Sequence, residues 1–166
     1  RLTVLVNDFG KINIDAGLIK NIAGDTIELT NGCVCCTVGD DLGDALTALN
    51  EATPRPEHVL IEASGVTNPK RVAVHSGNWP GFHLCRIIVA ADAETVIKRS
   101  GDKYIGSLIT TQITAANVIA VTKPDLVGAD SVSDTCLWLS KRNPRAGIVH
   151  APHGRLPANI FFEDQD

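Results

Sequence analysis

The sequence predicts an α/β fold built on a mainly parallel, doubly wound β-sheet. The first observation is a set of short, continuous apolar runs, which are typical of parallel strands covered on both faces. The second is that stretches with helical periodicity separate these runs, and such alternation favours parallel strands joined by helices. The third is that each run ends in polar residues, at the strand end where folds of this class bind ligands.

The predicted elements alternate along the chain. Strands are predicted at residues 2–6, 59–61, 87–91 and 118–121, and residues 25–30 form a further strand-like run. Apolar side chains three or four residues apart indicate a helix after that run. They are Leu42, Ala45, Leu46 and Leu49. A second helical stripe crosses three turns before the last of these strands. It consists of Ile105, Leu108, Ile109, Gln112, Ile113 and Ala116.

Size and composition favour one compact domain over residues 1–166. The chain is 44% hydrophobic and 20% charged, which is enough apolar material for a sizeable core. Its net charge of −4, without a long basic run, argues against a nucleic-acid surface, so small ligands or proteins are the expected partners. No apolar stretch approaches the roughly 20 residues that span a bilayer, and no signal peptide is recognisable. We therefore expect a cytoplasmic protein without a membrane partner.

Three of the five cysteines lie within four residues, in the segment Cys33-Val34-Cys35-Cys36. Thiolates at this density suit zinc, cobalt or cuprous ions, whereas adjacent cysteines bridge to each other only through a strained ring. The odd number of cysteines also argues against a disulfide framework. The segment therefore predicts a metal site. Cys85 and Cys136 stand alone in apolar contexts, and we interpret them as small buried side chains without a further role.

Polar motifs follow three of the apolar runs. They are Asn7-Asp8-Phe9-Gly10, Glu62-Ala63-Ser64-Gly65 and Thr122-Lys123-Pro124-Asp125. In the last motif, the aspartate can accept the ring N–H and the exocyclic amine of guanine, while the lysine stem lies along the base. Adenine lacks that pair of donors. An exposed turn that closes a strand is the alternative interpretation of the same four residues.

The motif after residues 59–61 is suited to phosphate chemistry. The spacing from Glu62 to Gly65 puts a carboxylate near a magnesium ion or an attacking water, while the glycine amide approaches a terminal phosphate. Glycine permits that close approach because it has no Cβ. The alternative is a strand end with a solvated Glu62, followed by a turn into Asn68-Pro69 and a helix.

In this order, the motifs resemble those of the CobW-type P-loop GTPases, relatives of the accessory GTPases for urease and hydrogenase maturation. The resemblance covers nearly the whole chain and implies a three-layer sheet of the P-loop NTPase type. It also implies GTP hydrolysis with Mg²⁺, linked to handling Zn²⁺ or Co²⁺ for a client metalloprotein or a cobalamin-pathway protein, in a possible homodimer. The residues to which it assigns roles are Asp8 and Glu62 for catalysis, Gly65, Thr122, Lys123 and Asp125 for the nucleotide, and Cys33, Cys35 and Cys36 for the metal.

The sequence departs from the family pattern in two motifs. The phosphate loop G-x-x-G-x-G-K-T, which supplies the amide cradle and the lysine for the phosphates, does not occur in it. We expect that the sequence omits an N-terminal strand, this loop and a helix, as well as the family's C-terminal domain; a degenerate GTPase is the alternative. In addition, Asp8 takes the place of the usual glutamate, and its shorter reach shifts the carboxylate by about an ångström.

The resemblance suggests that nucleotide state controls the metal site. In this hypothesis, GTP and magnesium hold residues 8–15 and 33–36 in a closed arrangement whose thiolate site loosens on hydrolysis. A tetrahedral ion needs a fourth ligand, supplied by water, a carboxylate, an imidazole or a partner. Two other classes remain open: a thiol redox or metal-sensing module, and a noncatalytic interaction domain. His150 and His153 are expected in a surface or base-adjacent loop after the last strand, rather than as metal ligands.

Overall fold

The computed structural model describes residues 2–7, 26–28 and 40–162. It divides into two compact units, Arg1–Leu84 and Cys85–Asp166, each with its own parallel three-stranded sheet and its own helices. The parallel strand pairing and the alternation of strands with helices confirm the predicted α/β class. No helix in the described ranges is long and apolar enough to cross a membrane.

The first unit has the sheet order β2-β1-β3. Its elements are β1 (Leu2–Asn7), β2 (Thr26–Glu28), helix α1 (Asp40–Glu51), β3 (His58–Ala63) and helix α2 (Pro69–Gly77). Parallel pairing runs from Leu2 opposite His58 to Asn7 opposite Ala63, so β1 and β3 end side by side. The predicted helical stripe lies in α1, and the predicted strand at residues 59–61 lies within β3.

The core of the first unit forms between α1, α2 and one face of its sheet. Its buried members are Leu5, Leu42, Leu46, Leu49 and Val72. Trp79 packs against this cluster, and a Cβ added to Gly43 would lie 2.6 Å from the Trp79 ring. Glycine at position 43 therefore lets α1 approach the indole closely.

The second unit has the sheet order β4-β5-β6. Its elements are β4 (Ile88–Asp92), α3 (Val96–Ser100), α4 (Gly106–Ala115), β5 (Val118–Thr122), α5 (Ala129–Arg142) and β6 (Gly147–Ala151). Four of the five residues of the central strand β5 are buried, which explains its continuous apolar sequence. Ile113, Ile119, Val121 and Leu139 are the most enclosed side chains of the core that β5 shares with α4 and α5.

The structure corrects the expected position of His150. It lies within β6, opposite Val121, and the strand continues to Ala151. The strand extends this far because every residue of Gly147–Ala151 pairs with β5. Only Pro152 and His153 of the expected histidine loop follow the strand.

Asn143 joins the ends of α4 and α5. Its buried side-chain amide donates hydrogen bonds to the carbonyls of Ile113, at 2.8 Å, and Ala116, at 2.9 Å. We expect Asn143→Ala to destabilise the protein by about 2 kcal/mol, because it removes both donors from a buried helix end. Urea unfolding measures this loss. The control is Asn78→Ala, which removes an exposed bond to the Val74 carbonyl and should cost about 0.5 kcal/mol; equal losses would contradict the prediction.

Candidate functional site

The carboxyl ends of β4, β5 and β6 meet in one row. Asp92, the last residue of β4, pairs with Thr122 of β5, and Thr122 pairs with Ala151 of β6. The loop after each strand therefore starts at the same edge of the sheet. The N–H of Ala93 donates to the Thr122 carbonyl at 3.0 Å and ties the first two loops together. This edge is where parallel α/β sheets bind their ligands.

Lys123 turns the chain sharply out of β5. Its backbone is left-handed, with φ of 54°, a conformation that costs a non-glycine residue free energy and that concentrates at functional sites. A 3-10 turn at Pro124–Leu126 follows, closed by a bond from the Leu126 N–H to the Lys123 carbonyl at 3.1 Å. The Lys123 ammonium lies 2.7 Å from Oδ2 of Asp92. The sequence-predicted residues Thr122, Lys123 and Asp125 are thus brought together in one compact loop.

The Asp92 carboxylate is held from three sides. Its Oδ1 accepts the N–H groups of Glu94 at 2.9 Å and Thr95 at 3.2 Å, and its Oδ2 accepts Lys123. Burial alone would raise the pKa of Asp92, but the bonds from the Lys123 ammonium and the two N–H groups together hold that pKa below its ordinary value. The same contact raises the pKa of Lys123. Both groups therefore stay charged at neutral pH.

Asp125 and His153 meet across the loops that follow β5 and β6. The Asp125 side chain is 29% exposed, with Oδ2 3.5 Å from Nδ1 of His153 and Oδ1 3.4 Å from the His153 N–H. His153 also has a left-handed backbone, with φ of 53°, and Gly154 follows with φ of 72°. These two left-handed residues direct the β6 loop back towards Asp125. A carboxylate has about four acceptor positions, so these long contacts leave capacity for a ligand.

Glu62 and Gly65 lie at the end of β3 in the first unit. Glu62 pairs with Val6 in the parallel ladder and has an exposed side chain. A turn follows, closed by the bond from the Thr67 N–H to the Ser64 carbonyl at 2.8 Å. Asn68 then caps α2 by accepting the Lys70 N–H at 3.0 Å. This strand end, turn and helix start fit both interpretations of the motif, so the phosphate role of Glu62 and Gly65 stays a prediction.

The described residues around position 65 give no local reason for a glycine there. Its φ lies outside the left-handed region, and no described atom beyond its chain neighbours lies within 4 Å of a Cβ built on it. A side chain would therefore fit without strain in this part of the chain. The absence of a local steric reason for glycine is compatible with a ligand that approaches this backbone closely.

Four predicted site residues, Asp8, Cys33, Cys35 and Cys36, lie outside the described residues. Within the described ranges, no group of three or more His, Cys, Asp or Glu side chains could hold a metal ion. Cys85 and Cys136 are partly buried, and the Sγ of Cys136 lies 3.4 Å from Nε2 of His150. Burial raises the pKa of the Cys136 thiol, which favours the unreactive protonated form.

Sequence reasoning missed the parts played by Asp92 and His153 in this site. In the sequence, Asp92 is only the residue that follows the predicted strand at residues 87–91, and His153 only part of a surface or base-adjacent loop. Their partners, Lys123 and Asp125, are 31 and 28 residues away in the chain. The available signal was that each of the four residues lies at the end of a strand or within three residues after it.

Known proteins match this chain over nearly its whole length. The family model "CobW/HypB/UreG, nucleotide-binding domain" matches residues 1–150. Zinc chaperone CobW of Sinorhizobium sp is 30% identical over 98% of this chain and 54% of its own length. Zinc-regulated GTPase metalloprotein activator 1 of Schizosaccharomyces pombe is 27% identical, over 94% of this chain and 40% of its own length. The chain thus spans about half the length of such relatives.

Solved structures show the same fold. Zn(II)-bound YjiA GTPase from E. coli superimposes with a TM-score of 0.64 at 17% identity, over 97% of this chain and 60% of that one. HypB from Helicobacter pylori, solved in complex with nickel, gives a TM-score of 0.60 at 18% identity, over 93% and 67% of the two chains. Together with the family match, these likenesses confirm the resemblance drawn from the motifs: the chain belongs to the CobW/HypB/UreG family of P-loop GTPases.

Proposed function

We propose that this protein binds and hydrolyses GTP and delivers zinc or cobalt, bound at Cys33, Cys35 and Cys36, to a client protein. The observation that carries the proposal is the loop Thr122–Asp125, which follows the buried strand β5 at the edge where β4, β5 and β6 end. A simple exposed turn could also follow the strand. Such a turn does not require a lysine with a left-handed backbone whose ammonium binds the carboxylate at a neighbouring strand end.

Guanine recognition follows from the chemistry of this loop. A charged Asp125 accepts two hydrogen bonds from guanine, one from the ring N–H and one from the exocyclic amine. Adenine presents no such pair of donors, so the carboxylate would lose its hydration without compensation. Thr122 and the Lys123 stem complete the proposed base-binding loop. The partial exposure of Asp125 leaves the carboxylate accessible to a base.

The phosphate chemistry is assigned to Asp8, Glu62 and Gly65. In this proposal, Glu62 and Asp8 position the attacking water or Mg²⁺, and the Gly65 amide binds a terminal phosphate oxygen. A magnesium ion there would neutralise charge that develops on the phosphate oxygens. The steric freedom at Gly65 supports this assignment, because the described neighbours give no local reason for the residue to be glycine.

Replacement of Glu62 by glutamine tests the hydrolysis proposal. Glu62→Gln keeps the shape of the side chain but removes its charge and basicity, so we expect GTP hydrolysis by the full-length protein to slow about 100-fold. GDP affinity should change little, because the base-binding loop is intact. Phosphate release under single-turnover conditions measures the rate, and nucleotide titration measures the affinity.

The control for this experiment is Glu51→Gln, an exposed glutamate at the end of α1 in the same unit. It should hydrolyse GTP at the unmodified rate. GTP hydrolysis by Glu62→Gln at the unmodified rate would show that Glu62 is not a catalytic residue. A full-length protein that binds GTP but never hydrolyses it would instead favour the noncatalytic interaction domain.

The metal proposal rests on thiolate chemistry and on the family. Three thiolates and a fourth ligand make a tetrahedral site that suits zinc or cobalt. Several relatives are named zinc chaperones, which supports zinc as the ion. We further propose that hydrolysis loosens this site and releases the ion to a client metalloprotein or a cobalamin-pathway protein in the cytoplasm, with a homodimer as the possible assembly.

A further inference from the structure

The contact between Asp92 and Lys123 links the ends of the neighbouring strands β4 and β5. The Asp92 side chain is only 21% exposed, whereas that of Lys123 is 57% exposed. Their charged atoms are 2.7 Å apart, a distance typical of a charge-assisted hydrogen bond. Exposed ion pairs contribute little to the free energy of unfolding. We therefore consider a role in ligand binding for this short contact.

The position of Asp92 is fixed independently of Lys123. Its Oδ1 is held by the N–H groups of Glu94 and Thr95, in the turn that leads into α3. Its backbone is held by the β4–β5 ladder, in which it pairs with Thr122. Asp92 is therefore the rigid partner, and the long Lys123 side chain is the one that gains order from the contact.

The same contact confines the stem of Lys123. The left-handed backbone fixes one end of the side chain, and the carboxylate of Asp92 fixes the ammonium at the other end. The methylene groups between them are then restricted to the edge where β4 and β5 end. Ordering a flexible side chain before a ligand arrives reduces the entropy lost on binding.

We propose that Asp92 is a positioning residue for the nucleotide: it holds Lys123 so that the stem is already placed for the purine ring. This inference rests on the proposed binding of guanine at Asp125. Asp92 acts through Lys123 and touches neither edge of the base. Its loss should therefore weaken binding of every nucleotide that Lys123 contacts and should leave the choice among purines to Asp125.

A double-mutant cycle in the full-length protein tests the inference. Asp92→Asn keeps an oxygen for the N–H groups of Glu94 and Thr95 but removes the charge that holds the ammonium. Lys123→Met keeps an apolar stem but removes the ammonium. Affinities for GDP and for inosine diphosphate, which lacks the exocyclic amine, are measured by calorimetric titration.

We expect each single variant to bind both nucleotides about fivefold more weakly, a change within the usual range for coupled neighbours. The ratio of the two affinities should stay as in the unmodified protein. The double variant should bind no more weakly than Lys123→Met alone. Two results would overturn the inference. One is that Asp92→Asn weakens binding in the Lys123→Met background as much as it does alone. The other is that Lys123→Met binds as the unmodified protein does, and this result is obtained even if Asp92→Asn does not fold.

Asp102→Asn is the matched control. Asp102 accepts the N–H groups of Tyr104 at 2.8 Å and Ile105 at 3.2 Å, the same arrangement as at Asp92, just before α4. Its replacement should leave nucleotide affinity unchanged, and a loss equal to that of Asp92→Asn would mean that the turn matters rather than Lys123. Asp125→Ala, measured in parallel, tests guanine binding itself. Unchanged GDP binding by Asp125→Ala would contradict the proposed function, whereas the Asp92 and Lys123 variants test only the positioning role.

Discussion

Replacing Asp125 by alanine is expected to weaken GDP binding by about 100-fold and to abolish the preference for guanine over adenine nucleotides. The carboxylate would accept two charge-assisted hydrogen bonds from guanine, and a site built to accept such bonds discriminates strongly through them. A competition titration of GDP against ADP on the full-length protein measures the preference. Retention of that preference in Asp125→Ala would contradict guanine recognition by this loop.

Asparagine at position 125 gives a second, independent result. Its amide places a donor where the carboxylate offered only acceptors, so it matches the carbonyl that xanthine carries in place of the exocyclic amine of guanine. Asp125→Asn should therefore favour xanthosine diphosphate over GDP. Asp134→Ala is the control, because Asp134 is exposed on α5 and has no part in the proposed site.

Replacing Cys33, Cys35 and Cys36 together by serine is expected to abolish stoichiometric tight binding of zinc or cobalt. Serine hydroxyls are not ionised at neutral pH and are poor ligands for these ions, so we expect affinity to fall by at least about 1,000-fold. Titration with Co²⁺ in the unmodified protein should give thiolate-to-cobalt absorption, and the triple variant should lack it.

The matched control replaces Cys85 and Cys136 by serine and keeps the three clustered thiols. It should retain the cobalt absorption, whereas absorption that persists in the triple variant would disprove the metal assignment. The same titration, repeated with GDP and with a non-hydrolysable GTP analogue, examines the proposed switch. Equal affinities in the two nucleotide states would contradict coupling, and thiol oxidation without metal binding would favour the redox module.

Local sequence patterns were sufficient to predict the α/β class. The apolar run at residues 118–121 has the composition of a strand covered on both faces, and β5 proves to be the buried centre of its sheet. The stripe from Leu42 to Leu49 likewise falls inside α1. The strand β2, Thr26–Glu28, lies within the predicted run at residues 25–30. His150, by contrast, was expected in a loop and lies in β6. Strand ends depend on the length of the partner's ladder, which local sequence does not contain.

The contacts within the candidate site were less accessible from the sequence. Asp92 meets Lys123, and His153 meets Asp125, only because three parallel strands end in the same row. That row depends on strand register, which is set by packing of the whole sheet. The motif predicted the residue types, and folding determined their partners. The assignments of Asp8 and of the three clustered cysteines stay predictions.

The common row at which β4, β5 and β6 end has a consequence for how the protein can change in evolution. An insertion of one residue within β5 would turn its side chains to the opposite face and displace Asp125 from His153 and Lys123 from Asp92 together. Insertions in the loops at the opposite edge of the sheet leave the row intact and are better tolerated. Length variation among homologues should therefore concentrate before the strands, with the spacing from β5 to Asp125 kept constant.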